Sequence, residues 1–174
     1  MIKGNVVIVG RPNVGKSTLF NKLTGSRKSI ISDKSGVTRD FLIEILSLDR
    51  ENEKECLLYD TGGYETKDVN FQPFSDNLVW QQTKYAVEKA DIIIFLLDGK
   101  AGLQTFDKDI LNYLLQQNKP IISVVNKIDG LEKESLAWEF CELRTDFFHK
   151  ISAAHKRGLQ PLREDIIEKL DALP

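Results

Sequence analysis

Cysteine and histidine are scarce, two of each in 174 residues, and neither pair has the spacing of a metal or redox site. Cys56 and Cys141 sit in apolar stretches and are expected to be buried thiols in a reducing compartment. His149 and His155 form no ligand cluster. No apolar run approaches the ~20 residues needed to cross a bilayer; the longest, Ile92 to Leu97, has the length of a buried strand. Met1 to Asn5 leads straight into the first strand, leaving no room for a signal peptide. Charge of one sign is lacking too: 24 Lys and Arg against 26 Asp and Glu give a net −2, so electrostatics makes no case for nucleic acid. These absences point to a cytoplasmic, soluble domain with no membrane association. At 41% hydrophobic and 29% charged residues, residues 1–174 form one domain able to bury roughly 70% of its unfolded surface.

What is present begins with Gly10-Arg-Pro-Asn-Val-Gly-Lys-Ser17. The stretch follows the apolar run Val6 to Val9 and opens a helical pattern from Thr18 to Leu23. Strand, glycine-bearing loop and helix N-terminus are the context of a phosphate-binding loop. Gly10 and Gly15 allow a tight wrap in which successive N–H groups converge on phosphate oxygens, aided by the positive end of the helix. Lys16 can reach β- and γ-phosphates, and the Ser17 hydroxyl can ligate Mg²⁺. An ordinary β–α turn matches this pattern by chance in about one in 200 chains of this length, and its placement after a buried strand lowers that further.

Beyond the first helix, Gly25 to Asp40 is polar and aperiodic, a long loop of the kind that tends to be functional. Phe41 to Leu48 and Cys56 to Tyr59 read as antiparallel strands joined by the charged turn Asp49 to Glu55. Tyr64 to Asp76 is again irregular. Helices follow over Leu78 to Lys89, Thr105 to about Gln117, Glu134 to Leu143 and Gly158 to about Leu173. Strands are expected at Ile92 to Leu97, Ile121 to Val125 and Phe147 to Ile151. The alternation predicts an α/β fold with a mostly parallel six-stranded sheet, one strand antiparallel, and helices on both faces. Ligands in such sheets sit beyond the carboxyl ends of the strands, where the phosphate loop, Asp60, Asn126 and Ser152 all fall.

Asn126-Lys127-Ile128-Asp129 suggests which base is read. A carboxylate only accepts hydrogens, and guanine offers two adjacent donors at N1 and N2; adenine would leave Asp129 facing a lone pair, a mismatch worth ~10⁴ or more. Lys127 can lie over the base while Asn126 braces the loop. Alone, the tetrapeptide is as readily a charged turn. Its place about 110 residues after the phosphate loop, behind another buried strand, favours guanine recognition. Ser152-Ala153-Ala154 adds an amide, that of Ala153, for guanine O6. Asp60-Thr61-Gly62-Gly63 supplies a carboxylate for Mg²⁺ and, at Gly63, an N–H for the γ-phosphate, unless Asp60 merely caps a turn. Thr38 is the best candidate for a second hydroxyl on Mg²⁺.

In order and spacing these segments resemble the five motifs of the P-loop GTPase (G-domain) superfamily. Gly10 to Asn21, Gly25-Ser-Arg27, Gly36-Val-Thr-Arg-Asp40, Asp60 to Gly63, Asn126 to Asp129, Ser152 to His155 and Arg157-Gly158 resemble more closely the first GTPase domain of the Der (EngA) family, relatives of Era and TrmE. The likeness covers essentially the whole chain. It implies a slow, Mg²⁺-dependent GTPase acting as a switch in assembly of the large ribosomal subunit, excised from a longer protein with a second GTPase domain and a KH-like RNA-binding domain. The nucleotide-contacting residues it implies are Asn13, Val14, Gly15, Lys16, Ser17, Thr18, Asp60, Gly63, Asn126, Lys127, Asp129, Ser152, Ala153 and Ala154. Ser17, Thr38 and Asp60 would hold Mg²⁺, and Lys16, Thr38, Gly63 and Asn13 would serve hydrolysis.

Where Ras-like GTPases place a catalytic Gln, this chain has Tyr64, whose phenol cannot make a carboxamide's paired contacts. The resemblance implies K⁺ beside the β- and γ-phosphates instead, held partly by Asn13 and neutralising transition-state charge as an arginine finger does. Arg39 is the alternative finger. Other readings are a TrmE-like or Era-like GTPase, a nucleotide-reading module with negligible hydrolysis, and a small-molecule kinase, disfavoured because no lid is evident. Asn70 to Phe74 is unusually apolar for a loop, and His155-Lys156-Arg157 is a basic cluster with no assigned contact to RNA.

Overall fold

The computed structural model describes residues 1–25, 30–32, 41–61, 78–143 and 147–174. Its strands are β1 (Ile2–Val9), β2 (Ile30–Ser32), β3 (Phe41–Asp49), β4 (Lys54–Asp60), β5 (Ile92–Asp98), β6 (Ile121–Asn126) and β7 (Phe148–Lys150). The helices are α1 (Lys16–Thr24), α2 (Leu78–Lys89), α3 (Thr105–Leu115) and α4 (Leu159–Asp171). The strands form one sheet in the order β2-β3-β4-β1-β5-β6-β7. β3 pairs antiparallel with both β2 and β4, while the β1–β4, β1–β5, β5–β6 and β6–β7 pairings are parallel. β3 is therefore the one strand running against the rest, as expected. β2 adds a short seventh strand at the edge, inside a stretch expected to be loop throughout.

The sheet is buried on both faces because its central strands carry unbroken apolar runs, Val6 to Val9 in β1 and Ile92 to Leu97 in β5; all seven residues of β5 are buried. Alternate residues point to opposite faces. Val6 and Ile8 of β1 with Ile92, Ile94 and Leu96 of β5 pack against Leu19 and Phe20 of α1 and Leu162 and Ile166 of α4. Val7, Val9, Ile93, Phe95 and Leu97 pack against Trp80 and Val87 of α2 and Ile110 and Leu114 of α3. The result is three layers, and each fully buried large side chain contributes roughly 1.5–3 kcal/mol. Trp80 and Tyr113 meet edge to face at 5.0 Å, joining α2 to α3.

The charged turn is as expected: the Asp49 carboxylate accepts the Glu51 and Asn52 amides at 3.0 and 3.2 Å. The helix expected over Glu134 to Leu143 is present, spans Leu131–Glu142 and is a 3₁₀ helix. Only Ala137 and Phe140, three apart, are buried in it, and a three-residue repeat aligns them on one side. One expectation is corrected: Cys56 is buried, but Cys141, on this segment, is exposed, because it lies next to Phe140 rather than in register with it.

Candidate guanine-nucleotide site

Strand order reverses around β1, with β4 on one side and β5 on the other. Such switch points open a crevice at the strands' carboxyl ends, and the segment between β1 and α1 occupies it. Asn13 (φ 68°) and Gly15 (φ 104°) adopt left-handed backbone, which turns neighbouring N–H groups toward a common side. Both glycines are required sterically. A Cβ on Gly10 would lie 2.5 Å from the Leu96 carbonyl oxygen, and one on Gly15 would collide with Asn126 Nδ2. Lys16 is 97% buried, and its Nζ donates to the carbonyls of Gly10 and Arg11, both at 2.8 Å. Val14 is buried, while Asn13 and Thr18 are exposed at the loop's outer side.

At the end of β4, Asp60 is fully buried and accepts the Ser17 hydroxyl at 2.8 Å. The next residue, Thr61, donates its hydroxyl to the Ile8 carbonyl at 2.9 Å, pinning the end of β4 to β1. Ser17 and Asp60 thus present two hard oxygen donors side by side, which suits Mg²⁺. Among the described residues no group of three or more His, Cys, Asp or Glu could hold a metal unaided. Phosphate and water would complete the shell, as Mg²⁺ prefers. Thr38, Arg39, Gly62, Gly63, Tyr64 and the apolar stretch 70–74 lie outside the described residues, as do residues 26–27 and 36–40.

The segment from Asn126 to Asp129 is joined directly to the loop between β1 and α1. Asn126 donates from Nδ2 to the Val14 carbonyl at 2.9 Å, and its Oδ1 accepts the Ala153 N–H at 3.0 Å. Lys127, left-handed at φ 67°, donates from Nζ to the Asn13 carbonyl at 2.9 Å and to Asp98 Oδ2 at 2.7 Å. Ser152 Oγ donates to Asp129 Oδ1 at 2.8 Å, and the exposed His155 ring lies 3.9 Å from the same oxygen. The Ser152–Arg157 turn is closed by reciprocal backbone bonds of 3.0 and 2.9 Å. The Ala153 amide expected at guanine O6 is directed instead to Asn126, and the exposed Ala154 follows it.

The chain belongs to the 50S ribosome-binding GTPase family. The model of that family matches residues 5–127, from β1 to Lys127. GTPase Der of Trichlorobacter lovleyi is 43% identical over 175 residues, covering 99% of this chain but 37% of that protein. The chain thus spans little more than a third of the curated relative it matches. Among solved structures, an Era variant of Aquifex aeolicus bound to GDP·AlF4⁻ superposes with a TM-score of 0.74 at 34% identity, over 98% of this chain and 57% of that one. Era in complex with MgGDPNP and a segment of 16S ribosomal RNA gives 0.72 at 34% identity, over 95% and 56%.

For a GTPase of this family, three residues were not singled out from the sequence. Asp98 caps the turn after β5, accepting the Lys100 and Ala101 amides at 2.9 Å each, and it anchors Lys127. Its position at a strand's carboxyl end was the available signal. Arg11 and Asp107 pair at 2.7 Å, a contact no local pattern announces. A cavity of about 300 Å³, lined by Ile121, Phe147 and His149 among others, opens at the amino ends of β6 and β7, away from these motifs. No helix among the described residues is long and apolar enough to cross a membrane.

Proposed function

We propose that this chain is the nucleotide domain of a longer cytoplasmic protein, where it binds and slowly hydrolyses GTP as a switch in assembly of the bacterial large ribosomal subunit. One observation carries the proposal: Asn126 and Lys127 hold the Val14 and Asn13 carbonyls at 2.9 Å each, so the guanine-reading segment and the phosphate loop form one bonded frame. A frame of that kind suits a ligand whose base and phosphates meet the two segments at once. Identity of 43% to a Der sequence against 34% to Era favours the Der-like assignment over the Era-like one.

In this reading Asp129 accepts the guanine N1–H and N2–H, Lys127 covers the base, and the Ala154 amide serves O6, those of Ser152 and Ala153 being bonded to Arg157 and Asn126. Lys16 and the loop amides neutralise the β- and γ-phosphates. Ser17, Asp60 and Thr38 would hold Mg²⁺, which would supply positive charge against that of the phosphates. Gly63 and Thr38 sense the γ-phosphate, which is how the switch would read GTP against GDP. Asn13 is exposed at the loop tip, where an amide oxygen can replace one water of a K⁺ ion. The ribosome, a second GTPase domain and a KH-like domain are partners of the longer protein.

The test is GTP turnover with Mg²⁺ in matched KCl and NaCl, for the wild type and Asn13→Ala. Faster turnover in K⁺ that disappears in the variant is the expected result. Equal rates in both salts would remove the K⁺ mechanism, leaving Arg39 or an external activator. Tight GTP binding without turnover would make the domain a nucleotide-reading module.

A further inference from the structure

Arg11 and Asp107 are 96 residues apart and meet where the phosphate loop passes the start of α3. Asp107 is fully buried, and both its oxygens are engaged: Oδ1 accepts Arg11 Nε at 2.7 Å and Oδ2 accepts the Gln104 N–H at 2.8 Å. The Arg11 side chain is only 16% exposed. Its Nη2 is buried without a hydrogen-bond partner among the described residues. Burial pushes the Asp107 pKa up, and the Arg11 contact offsets only part of that rise. A buried ion pair with one donor left unsatisfied is poor value as a stabilising contact. What it supplies is position. Arg11 is held to α3 by its side chain, and its own carbonyl, with that of Gly10, holds Lys16 Nζ.

We propose that Asp107 and Arg11 are positioning residues that set the first turn of the phosphate loop, and through its carbonyls the Lys16 ammonium, against the N-terminus of α3. The inference rests on the proposed role of Lys16 at the phosphates. A second tie from the same region supports it: Asp98, at the start of the β5–α3 loop, reaches Asn13 through Lys127. The loop is thus held at Arg11 and at Asn13 by ties that lead to Asp107 and Asp98, which flank one connection. Displacing the start of α3 would move Lys16 while leaving the Asp129–Ser152 contact intact.

The test compares wild type with Asp107→Asn and Arg11→Lys in the full chain. It measures affinity for GTP and for ITP, which lacks the guanine amino group, together with GTP turnover and melting temperature. Asp107→Asn is expected to weaken GTP and ITP by the same factor, about tenfold, and to lower turnover, because the phosphate end is disturbed and the base end is not. Arg11→Lys keeps the charge but loses the planar fork and should show the same pattern more weakly. It also provides the reading should Asp107→Asn fail to fold. Lys54→Ala, which breaks the exposed Lys54–Asp171 pair, should leave both affinities unchanged. A shift in melting temperature with wild-type affinity and turnover, or a changed GTP-to-ITP ratio, would overturn the positioning role. A wild type that binds no GTP would overturn the functional reading and this inference together, whereas wild-type binding with unaltered variants would overturn only the inference.

Discussion

Ser17 and Asp60 lie 43 residues apart in sequence, and the serine hydroxyl donates to the buried aspartate at 2.8 Å. The two close the gap between α1 and the end of β4. A magnesium ion bound there would take the serine oxygen as a ligand and leave the carboxylate to orient coordinated water. Asp60→Asn should therefore weaken Mg²⁺-dependent GTP binding by about 10–100-fold while barely changing GDP binding in chelator. Titrating Mg²⁺ against fluorescent GTP and GDP measures both, and equal losses for the two nucleotides would show that Asp60 acts only on the fold.

Asp129 supplies the most selective prediction. Its carboxylate can accept two guanine hydrogens, whereas an asparagine in its place presents a donor. Asp129→Asn should lower GTP affinity by up to ~10⁴. It should also raise affinity for xanthosine triphosphate, whose C2 carbonyl needs a donor. Competition between the two nucleotides reads the switch directly. A variant that loses both equally would indicate that the Ser152–Asp129 hydrogen bond maintains loop shape rather than reading the base.

How much of this was legible in the sequence depends on whether the controlling interaction is local. The phosphate loop was readable because its constraint lies within eight residues: a buried strand, two glycines and a helix start. The parallel sheet was readable because β5 and β6 are predominantly apolar runs between helical patterns. The 3₁₀ form of the Leu131–Glu142 helix was not, since an apolar spacing of three does not by itself separate it from an α-helix. The motif leads one to expect the Ala153 amide at the base; its engagement by Asn126, 27 residues away, has no local signal. Asp107 was invisible for the same reason: nothing near it in sequence distinguishes a helix-start aspartate from one that anchors Arg11.

The two cysteines give a direct check on burial. Cys56 is fully inaccessible, and burial pushes its thiol pKa up to about 12. Near pH 8 only about one such thiol in 10⁴ would be the reactive thiolate. Cys141 is exposed. A chromogenic disulfide reagent should titrate one thiol per chain in the native state and two in denaturant. Two fast thiols in native buffer would mean that the α1–α4 side of the sheet opens readily.

Asp165 on α4 ties that helix to β7: Oδ2 lies 2.7 Å from His149 Nε2, and Oδ1 accepts Lys169 Nζ at 2.9 Å. Burial raises its pKa, but the hydrogen bonds from His149 and Lys169 outweigh that and hold it below the ordinary 3.8. The unfolded chain therefore takes up this proton at a higher pH than the folded one, so acidification favours unfolding. The contribution is fully present above about pH 4 and is lost as pH falls through the lower folded-state value. Asp165→Asn should cost about 1–2 kcal/mol near neutrality, or roughly 2–8 °C in melting temperature for a chain of this size. Melting curves from pH 7 down to pH 3 should show the wild type and the variant converging as the carboxylate protonates. A gap that stays constant through that range would mean that packing around the side chain, and not its charge, holds α4 to β7.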